Sequence, residues 1–268
     1  MINLNFEFMK IIDTHTHLYS EQFDGEHESM IRRAISAGVE YFFIPNIDST
    51  SIQGMKNIIK LFPDNCFPMM GLHPCSVNEN VEKELSIVEE ELKSNSYLAI
   101  GEIGIDLYWD KTFLKEQQKA FRQQIEWAKA YNLPIVIHCR ESFDEILEIL
   151  DEVNDPSLSG VFHCFTGTLE QAKHILSYGN FKLGIGGILT FKNAGLDKVV
   201  KQLDLKDLVL ETDAPYLAPM PYRGKRNESA YVIYVAEKLA EIFDLPLKKI
   251  AEETTKNALK IFKIDEES

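Results

Sequence analysis

Cysteine is scarce in the 268-residue sequence, and no two of its cysteines form a C-x-x-C pair. The four present are Cys66, Cys75, Cys139 and Cys164. This scarcity excludes a disulfide-stapled scaffold and the usual zinc ribbon. We therefore predict buried, reduced thiols in a cytoplasmic protein.

Long apolar runs and N-terminal targeting signals are also missing. No hydrophobic stretch approaches the ~20 residues that a membrane-spanning helix requires. The first residues lack a basic region followed by a small-residue cleavage site. The sequence thus predicts no membrane partner, and no feature indicates an obligate protein partner.

Basic residues are outnumbered, with 28 Lys and Arg against 42 Asp and Glu and a formal net charge of −14. This balance argues against broad electrostatic binding of nucleic acid, which requires a basic face. It does not exclude a phosphate-containing substrate, because bound divalent metals and one basic loop can reverse the field inside a pocket.

Predicted strands alternate with predicted helices through the whole chain, with no composition break or low-complexity linker. Polar residues recur at strand ends, about one for each strand–helix unit. An open doubly wound sheet would instead need a glycine-rich turn after its first strand. We predict a single (β/α)8 TIM barrel over residues 1–268, with residues 1–8 as a possible N-terminal extension before Met9.

Several local boundaries follow from the same patterns. The first strand is predicted over residues 11–17 and the eighth over residues 208–213. A helix is predicted near residues 194–203, and Asn227 is expected to cap the helix that ends at Phe243.

The first predicted strand contains an alternating Asp-x-His-x-His run made by Asp13, His15 and His17. Residues i, i+2 and i+4 of a strand share one face, so these three side chains are predicted to point the same way. Two imidazoles on one face can bind one cation. A lone His-x-His is more often structural, but further polar residues end later strands.

Six residues are the candidate metal ligands: His15, His17, Glu102, His138, His163 and Asp213. Six ligands exceed the three that one catalytic zinc takes from protein, so two divalent metals are expected. Glu102, central in strand order, is the predicted bridge between them, and Asp213 is the predicted general base. Histidine and carboxylate mixtures accept Mg²⁺, Mn²⁺ or Zn²⁺, and the sequence leaves the choice open.

Weaker signals surround this set. His73 ends the third strand and is a candidate catalytic residue that contacts a phosphate or the leaving group; a histidine that only caps a turn is the equal alternative. Three residues are the predicted substrate-binding groups: Arg140, Glu211 and Arg223. Arg223 belongs to a basic loop with Lys225 and Arg226, which suits phosphate binding. Tyr108 and Trp109 could stack on bases or merely cover the rim.

The chain resembles the TatD family of metal-dependent hydrolases over nearly its whole length. The resemblance lies in Asp13-Thr14-His15-Thr16-His17-Leu18, Gly71-Leu72-His73-Pro74, Gly101-Glu102-Ile103-Gly104-Ile105-Asp106, His138-Cys139-Arg140, His163-Cys164-Phe165-Thr166-Gly167, Glu211-Thr212-Asp213-Ala214-Pro215-Tyr216-Leu217 and Thr255-Lys256-Asn257-Ala258. It implies an amidohydrolase-like barrel with a two-metal centre and deoxyribonuclease-like activity. It also implies that His15, His17 and Asp213 hold one metal, that Glu102 bridges, and that His138 and His163 hold the second.

Three functions are compatible with these residues. The first is hydrolysis of phosphodiester bonds by a metal-activated water, as a DNase or 3′–5′ exonuclease acting on DNA ends. The second keeps the metals but cleaves an ester or amide, for example on aminoacylated nucleic acid. The third is a binding protein without turnover, against which the complete set of six ligands counts.

Overall fold

Parallel strands alternate with helices through residues 9–265, the part of the chain that the computed structural model describes. The predicted extension, residues 1–8, lies outside this range. The strands are β1 (Ile11–Asp13), β2 (Val39–Pro45), β3 (Cys66–Met69), β4 (Ile100–Asp106), β5 (Ile135–Arg140), β6 (Gly160–Phe162), β7 (Phe181–Ile185) and β8 (Leu208–Leu210). The helices are α1 (His27–Ser36), α2 (Ile52–Leu61), α3 (Val81–Ser94), α4 (Leu114–Tyr131), α5 (Phe143–Val153), α6 (Leu169–Ser177), α7 (Leu196–Val200), α8 (Val232–Phe243) and α9 (Leu247–Ile261). None of these helices is long and apolar enough to cross a membrane.

The strands close into a ring through two joints. β1, β2 and β3 form one parallel ladder, and β4 to β8 form another. Between β3 and β4, Met70 bridges to Ile100. Between β8 and β1, Thr16 bridges to Ala214, and the Thr14 amide donates to the Leu210 carbonyl at 3.0 Å. The predicted (β/α)8 barrel is therefore confirmed.

A layer of inward-facing side chains fills the barrel, and α9 covers its amino-terminal end. This cluster contains Ile12, Phe43, Met69, Ala99, Val136, Val161 and Val209 from the strands, and Ala258, Ile261 and Phe262 from the region of α9. A second, larger cluster packs the strands against the outer helices. Because α9 occupies the lower opening, only the carboxyl ends of the strands are left to form a site, as is usual for such barrels.

The first strand is shorter than predicted, and its aspartate does not share a face with the histidines. β1 ends at Asp13, whose buried carboxylate accepts hydrogen bonds from the Thr212 amide and hydroxyl at 2.9 and 2.6 Å. Burial raises the pKa of Asp13 to about 7. The period-2 prediction was wrong for Asp13 because its carboxylate is held by the Thr212 amide and hydroxyl, in the segment after β8, instead of facing the histidines.

Two helix predictions also require correction. α7 is much shorter than residues 194–203: it starts late because Gly195, directly before it, takes a left-handed conformation with φ of 73°, and residues 201–203 form turns. Asn227 does not cap α8, which follows a 3-10 turn at Ser229–Tyr231. The Asn227 amide instead donates to the carbonyls of Thr212 and Tyr216, at 2.8 and 2.7 Å, and so fixes the loop after β8.

The cysteines are less uniformly buried than predicted. Cys66 is buried, but Cys139 and Cys164 are only partly buried and Cys75 is exposed. All four are free thiols. The expectation of buried thiols therefore holds for Cys66 and is wrong for Cys75, which lies in the open turn after Pro74.

Replacing Gly104 by alanine should separate β4 from β5. Gly104 has a φ of 143°, and an added Cβ would lie 2.0 Å from the carbonyl oxygen of His138. We expect Gly104→Ala to lower the free energy of unfolding by roughly 3 kcal/mol, mainly through overpacking. Urea unfolding of the variant measures this change.

Gly179→Ala is the matched control. Gly179 also has a positive φ, 89°, but an added Cβ would meet nothing within 4 Å. The free energy of unfolding of Gly179→Ala should fall by only about 1 kcal/mol, the cost of placing a Cβ on a left-handed backbone. Equal losses in the two variants would contradict the steric argument.

Candidate metal centre

His15 and His17 lie just after β1, where the backbone is bonded to both neighbouring strands. The Thr16 amide donates to the Phe43 carbonyl, and the His17 amide donates to the Ala214 carbonyl. Their Nε2 atoms are 3.3 Å apart. Extended backbone therefore still presents the two imidazoles together, although the segment is not a regular strand.

Glu102 lies inside the barrel mouth on β4 and faces two sets of imidazoles with its two oxygens. Oε2 lies 3.2 Å from His15 Nε2 and 3.5 Å from His17 Nε2. Oε1 lies 2.8 Å from His138 Nδ1 and 2.9 Å from His163 Nε2. The carboxylate thus stands between two pairs of nitrogen donors.

Asp213 follows β8 and completes the first set of donors. Its Oδ1 lies 3.4 Å from His17 Nε2 and 3.8 Å from His15 Nε2. Asp213 has a φ of 56°, unusual for a residue other than glycine. The Asp213 amide donates to the His15 carbonyl at 2.9 Å, and its own carbonyl accepts from the Tyr216 amide at 2.8 Å, which holds this conformation.

The spacing of these donors fits bound divalent cations. Ligand atoms held about 2.0–2.1 Å from one metal are separated from one another by roughly 3–3.4 Å. Among the described residues, three groups of three donors have ligand atoms within 4.8 Å of one another: His15, Glu102 and His163; His15, His17 and Asp213; and His73, Glu102 and His138. Imidazole nitrogens and carboxylate oxygens are the donors that zinc, manganese and related ions accept. The residues present therefore fit a divalent metal centre.

The charge of Glu102 is maintained despite its burial. Only 2% of the residue is exposed. Burial alone would raise the pKa of Glu102, but the neighbouring His73, His163 and His15 outweigh burial and hold this pKa well below its usual value. Burial, followed by the charge of His163, lowers the pKa of His15, which favours the neutral form that binds metals.

Tyr19 sets the proton position on His17. The Tyr19 hydroxyl donates to the Pro45 carbonyl at 2.8 Å, so its oxygen is free to accept from His17 Nδ1 at 3.1 Å. With the proton on Nδ1, the lone pair of Nε2 faces Glu102 and Asp213. Such an outer hydrogen bond orients an imidazole for metal binding.

A carboxylate plays the same part for His138, and another carboxylate lies close to the outer nitrogen of His163. Asp106 Oδ2 lies 2.8 Å from His138 Nε2, which leaves Nδ1 directed at Glu102. Glu211 Oε1 lies 3.4 Å from His163 Nδ1, which leaves Nε2 directed at Glu102. Burial would lower the pKa of both histidines, but Asp106 and Glu102 raise that of His138, and Glu102 with Glu211 raises that of His163. These carboxylates thus favour the protonated form of both rings, whereas a metal ligand must be a neutral imidazole.

Sequence reasoning missed Asp106 and Tyr19 as partners of the histidines. A signal for Asp106 existed, since it lies four residues after Glu102 on one strand and so shares its face. Tyr19 lies two residues after His17, but beyond the strand. Its contact with the β2 carbonyl of Pro45 depends on tertiary structure.

His73 lies close to the centre but with the opposite proton arrangement. The Cys75 amide donates to His73 Nδ1 at 3.0 Å, so the neutral ring carries its proton on Nε2. That Nε2 is 3.3 Å from both Glu102 Oε1 and His138 Nδ1. Burial lowers the pKa of His73 and favours the neutral form. In this tautomer His73 donates a hydrogen bond from Nε2, the same nitrogen that lies in a group of candidate metal donors with Glu102 and His138.

Glu211 is buried behind His163 instead of lying at the mouth. It has no exposed surface, and its Oε1 also accepts the Cys164 amide. The predicted substrate-binding role does not fit this position, because the carboxylate has no exposed surface that a substrate could reach. Its contacts are those of a group that orients His163.

The predicted basic residues divide into two groups. Arg226 makes structural contacts, since its guanidinium lies 3.0 Å from Glu26 and donates to the Gln22 carbonyl. Arg223 is exposed with its guanidinium carbon 4.5 Å from the centre of the Phe191 ring, and Lys225 is exposed beside it. The third predicted substrate-binding residue, Arg140, is also exposed, at the end of β5.

Two buried glutamines of α4 hold the strand ends that carry His73 and Asp106. Gln124 accepts from the Leu72 amide at 2.7 Å and donates to the Leu72 carbonyl at 3.3 Å. Gln117 makes the same pair of bonds with the Asp106 backbone, at 2.9 and 3.2 Å. Seven residues apart, the two amides lie on one face of the helix and fix both strand ends.

Comparison with known proteins agrees with a metal-dependent hydrolase built on a (β/α)8 barrel. The metal-dependent hydrolase YabD of Bacillus subtilis is 40% identical over 256 residues, covering 95% of this chain and 100% of YabD. The metal-dependent hydrolase YcfH of Escherichia coli K12 is 32% identical, covering 96% of this chain and 97% of YcfH. The crystal structure of YjjV, a TatD homologue from Escherichia coli K12, matches with a TM-score of 0.89 at 29% identity, covering 95% of this chain and 98% of that one.

The family model described as TatD related DNase matches residues 12–263. The chain therefore belongs to the TatD family of metal-dependent hydrolases, as its motifs suggested.

Removing the Tyr19 hydroxyl should weaken metal binding without removing a ligand. In Tyr19→Phe the His17 Nδ1 proton loses its acceptor, so the imidazole is no longer held in its orientation. We expect about tenfold weaker binding of the metal held by His15 and His17. Competition with a fluorescent chelator measures this affinity.

Tyr178→Phe is the control, because its hydroxyl bonds only on the surface, to Asp151 at 2.6 Å and more weakly to Leu147 and His174. It should bind metal as the wild type does. An unchanged affinity in Tyr19→Phe would show that this hydroxyl does not orient His17.

Replacing His73 should lower the catalytic rate without lowering the metal content of the protein. Because the Cys75 amide occupies Nδ1, His73→Asn should retain the full metal load while kcat falls by roughly 10²-fold or more. His163→Asn should instead lose metal. Elemental analysis of both purified variants, beside their kinetics, tests this, and loss of metal from His73→Asn would make His73 a ligand.

Proposed function

We propose that this protein hydrolyses phosphodiester bonds at DNA ends, as a 3′–5′ exonuclease with two divalent cations. The main support for this proposal is the position of Glu102, with Oε2 facing His15 and His17 and Oε1 facing His138 and His163. A carboxylate between two donor sets is what a two-metal phosphodiesterase needs. The TatD related DNase description of the family supports the choice of DNA.

Bound at these donors, Mg²⁺, Mn²⁺ or Zn²⁺ would stabilise negative charge on the phosphoryl oxygens and lower the pKa of water. Asp213 is placed to accept the proton of the attacking water. Its side chain is 14% exposed, so water can reach it. Burial alone would raise the pKa of Asp213, but His17, His163 and His15 lower it below its usual value. The carboxylate is thus ionised at neutral pH.

His73 is placed to donate a hydrogen bond from Nε2 to a phosphate or leaving-group oxygen. Its ring is partly exposed beside Glu102, and Nδ1 is already occupied by the Cys75 amide. A neutral imidazole with a fixed tautomer already carries its proton on Nε2, so it can stabilise negative charge in the transition state without rearranging. This is the catalytic role we assign to His73.

Arg140 and Arg223 supply positive charge for the substrate backbone. Both guanidinium groups are exposed and lie over aromatic rings, with their donor edges left available. The chain as a whole is acidic, with a formal net charge of −14. Affinity for duplex DNA grows with the number of phosphates that the protein neutralises. Two exposed guanidinium groups therefore suit a short contact at a strand end better than binding along a duplex.

The test is digestion of labelled single-stranded DNA by protein loaded in turn with Mg²⁺, Mn²⁺ or Zn²⁺. We expect shortening from the 3′ end with at least one ion, whereas circular single-stranded DNA, which has no end, should resist. Glu102→Gln should lose at least ~10²-fold in rate because the bridge between the donor sets loses its charge. Glu82→Gln, a change on the exposed face of α3, is the control.

No shortening with any ion, in protein shown to hold metal, would overturn the phosphodiester proposal. Turnover of a carboxylic ester such as p-nitrophenyl acetate by the same protein would then indicate an ester hydrolase. Cleavage of the circular DNA would retain the chemistry but exclude a strict requirement for an end.

A further inference from the structure

Two exposed aromatic rings and one guanidinium group lie together beside the metal centre, and we call Tyr108, Trp109 and Arg140 the aromatic platform. The Arg140 guanidinium carbon is 3.7 Å from the Tyr108 ring centre and 5.3 Å from that of Trp109. The two rings meet edge to face at 4.7 Å. Trp109 is 72% exposed and Tyr108 is 48% exposed. So large an open indole surface is unusual unless something covers it.

The platform is fixed relative to the centre by Asp106. Its Oδ1 accepts the amides of Tyr108 and Trp109 at 2.9 and 3.4 Å, while its Oδ2 contacts His138 at 2.8 Å. The Leu107 amide also donates to the Arg140 carbonyl at 3.0 Å. Three residues of chain keep Trp109 within about 10 Å of Asp106. This distance is the reach of one or two nucleotides.

We propose that the aromatic platform binds an unpaired nucleobase next to the phosphodiester that is cleaved. Trp109 is the stacking surface, and Arg140 holds the adjoining phosphate. This inference rests on the proposed phosphodiesterase function. Base stacking on an aromatic ring tolerates every base, because each has a π-face, and it suits a single-stranded end.

Three further aromatic side chains, Tyr222, Tyr231 and Phe191, are less suited to this role. The rings of Tyr222 and Tyr231 stack on each other at 4.2 Å with an angle of 5° between their planes, so each covers a face of the other. Phe191 is partly buried and lies under Arg223. Trp109 combines an open face, a neighbouring cation and a direct link to a residue that contacts His138.

Tryptophan fluorescence tests binding apart from catalysis. The chain has two tryptophans, so Trp127→Phe leaves Trp109 as the sole reporter. Metal-loaded protein is titrated with a short thymidine oligonucleotide whose last linkages are phosphorothioates, which slow cleavage. The same strand with abasic residues at its two 3′-terminal positions is the comparison. We expect saturable quenching and at least tenfold weaker binding of the abasic strand. Equal affinity for both strands, or no quenching, overturns the proposal.

Kinetics on the two strands, with ordinary linkages, give the second test. Trp109→Ala should raise KM about tenfold for the strand with bases and leave KM for the abasic strand unchanged, while Trp109→Phe should retain most of the affinity. Tyr131→Ala removes an exposed aromatic ring at the amino-terminal side of β5 and should change neither. An equal loss on both strands would show that Trp109 only supports its loop, and would overturn the proposal.

The two proposals fail in different ways. If wild-type protein cleaves DNA and Trp109→Ala does so equally well, the platform is excluded and the phosphodiesterase function stands. If wild-type protein cleaves no DNA with any ion, the proposed function fails, and the fluorescence titration still decides whether Trp109 binds a base.

Discussion

The buried charge of Glu102 is the constraint on which the rest of the site depends. Five imidazoles approach this carboxylate within 3.5 Å, from His15, His17, His73, His138 and His163. An ionised carboxylate inside a protein is tolerated only when partners compensate the lost hydration. Those partners come from widely separated parts of the chain, and only a closed ring of strands brings them to one carboxylate.

The partners behind the imidazoles then decide what each ring can do. Tyr19, Asp106 and Glu211 direct lone pairs of three histidines inward, whereas the Cys75 amide directs a proton of His73 inward. The same residue type therefore supplies both candidate metal donors and a hydrogen-bond donor within one cluster. The difference lies in a single backbone amide, which a count of histidines cannot reveal.

The barrel and the six candidate ligands could be predicted because strand and helix periods, and polar residues at strand ends, are local signals. The direction of the Asp13 side chain could not be predicted, because it depends on hydrogen bonds with Thr212, which lies far away in the sequence. Asn227 resembled a helix cap, but its amide bonds to the loop after β8 instead. Glu211 shares its strand end with Asp213 in sequence, yet one is buried and the other reaches solvent. Tertiary hydrogen bonds decided each of these cases.

The joint between β8 and β1 is made by the same short segments that carry His15, His17 and Asp213. A cation that binds only the folded form adds stability in proportion to the logarithm of its concentration over its Kd, about 2.7 kcal/mol at a hundredfold excess. Here that gain falls on the last seam of the ring. The concentration of free metal should therefore control how long the folded chain resists proteases as well as its catalytic rate.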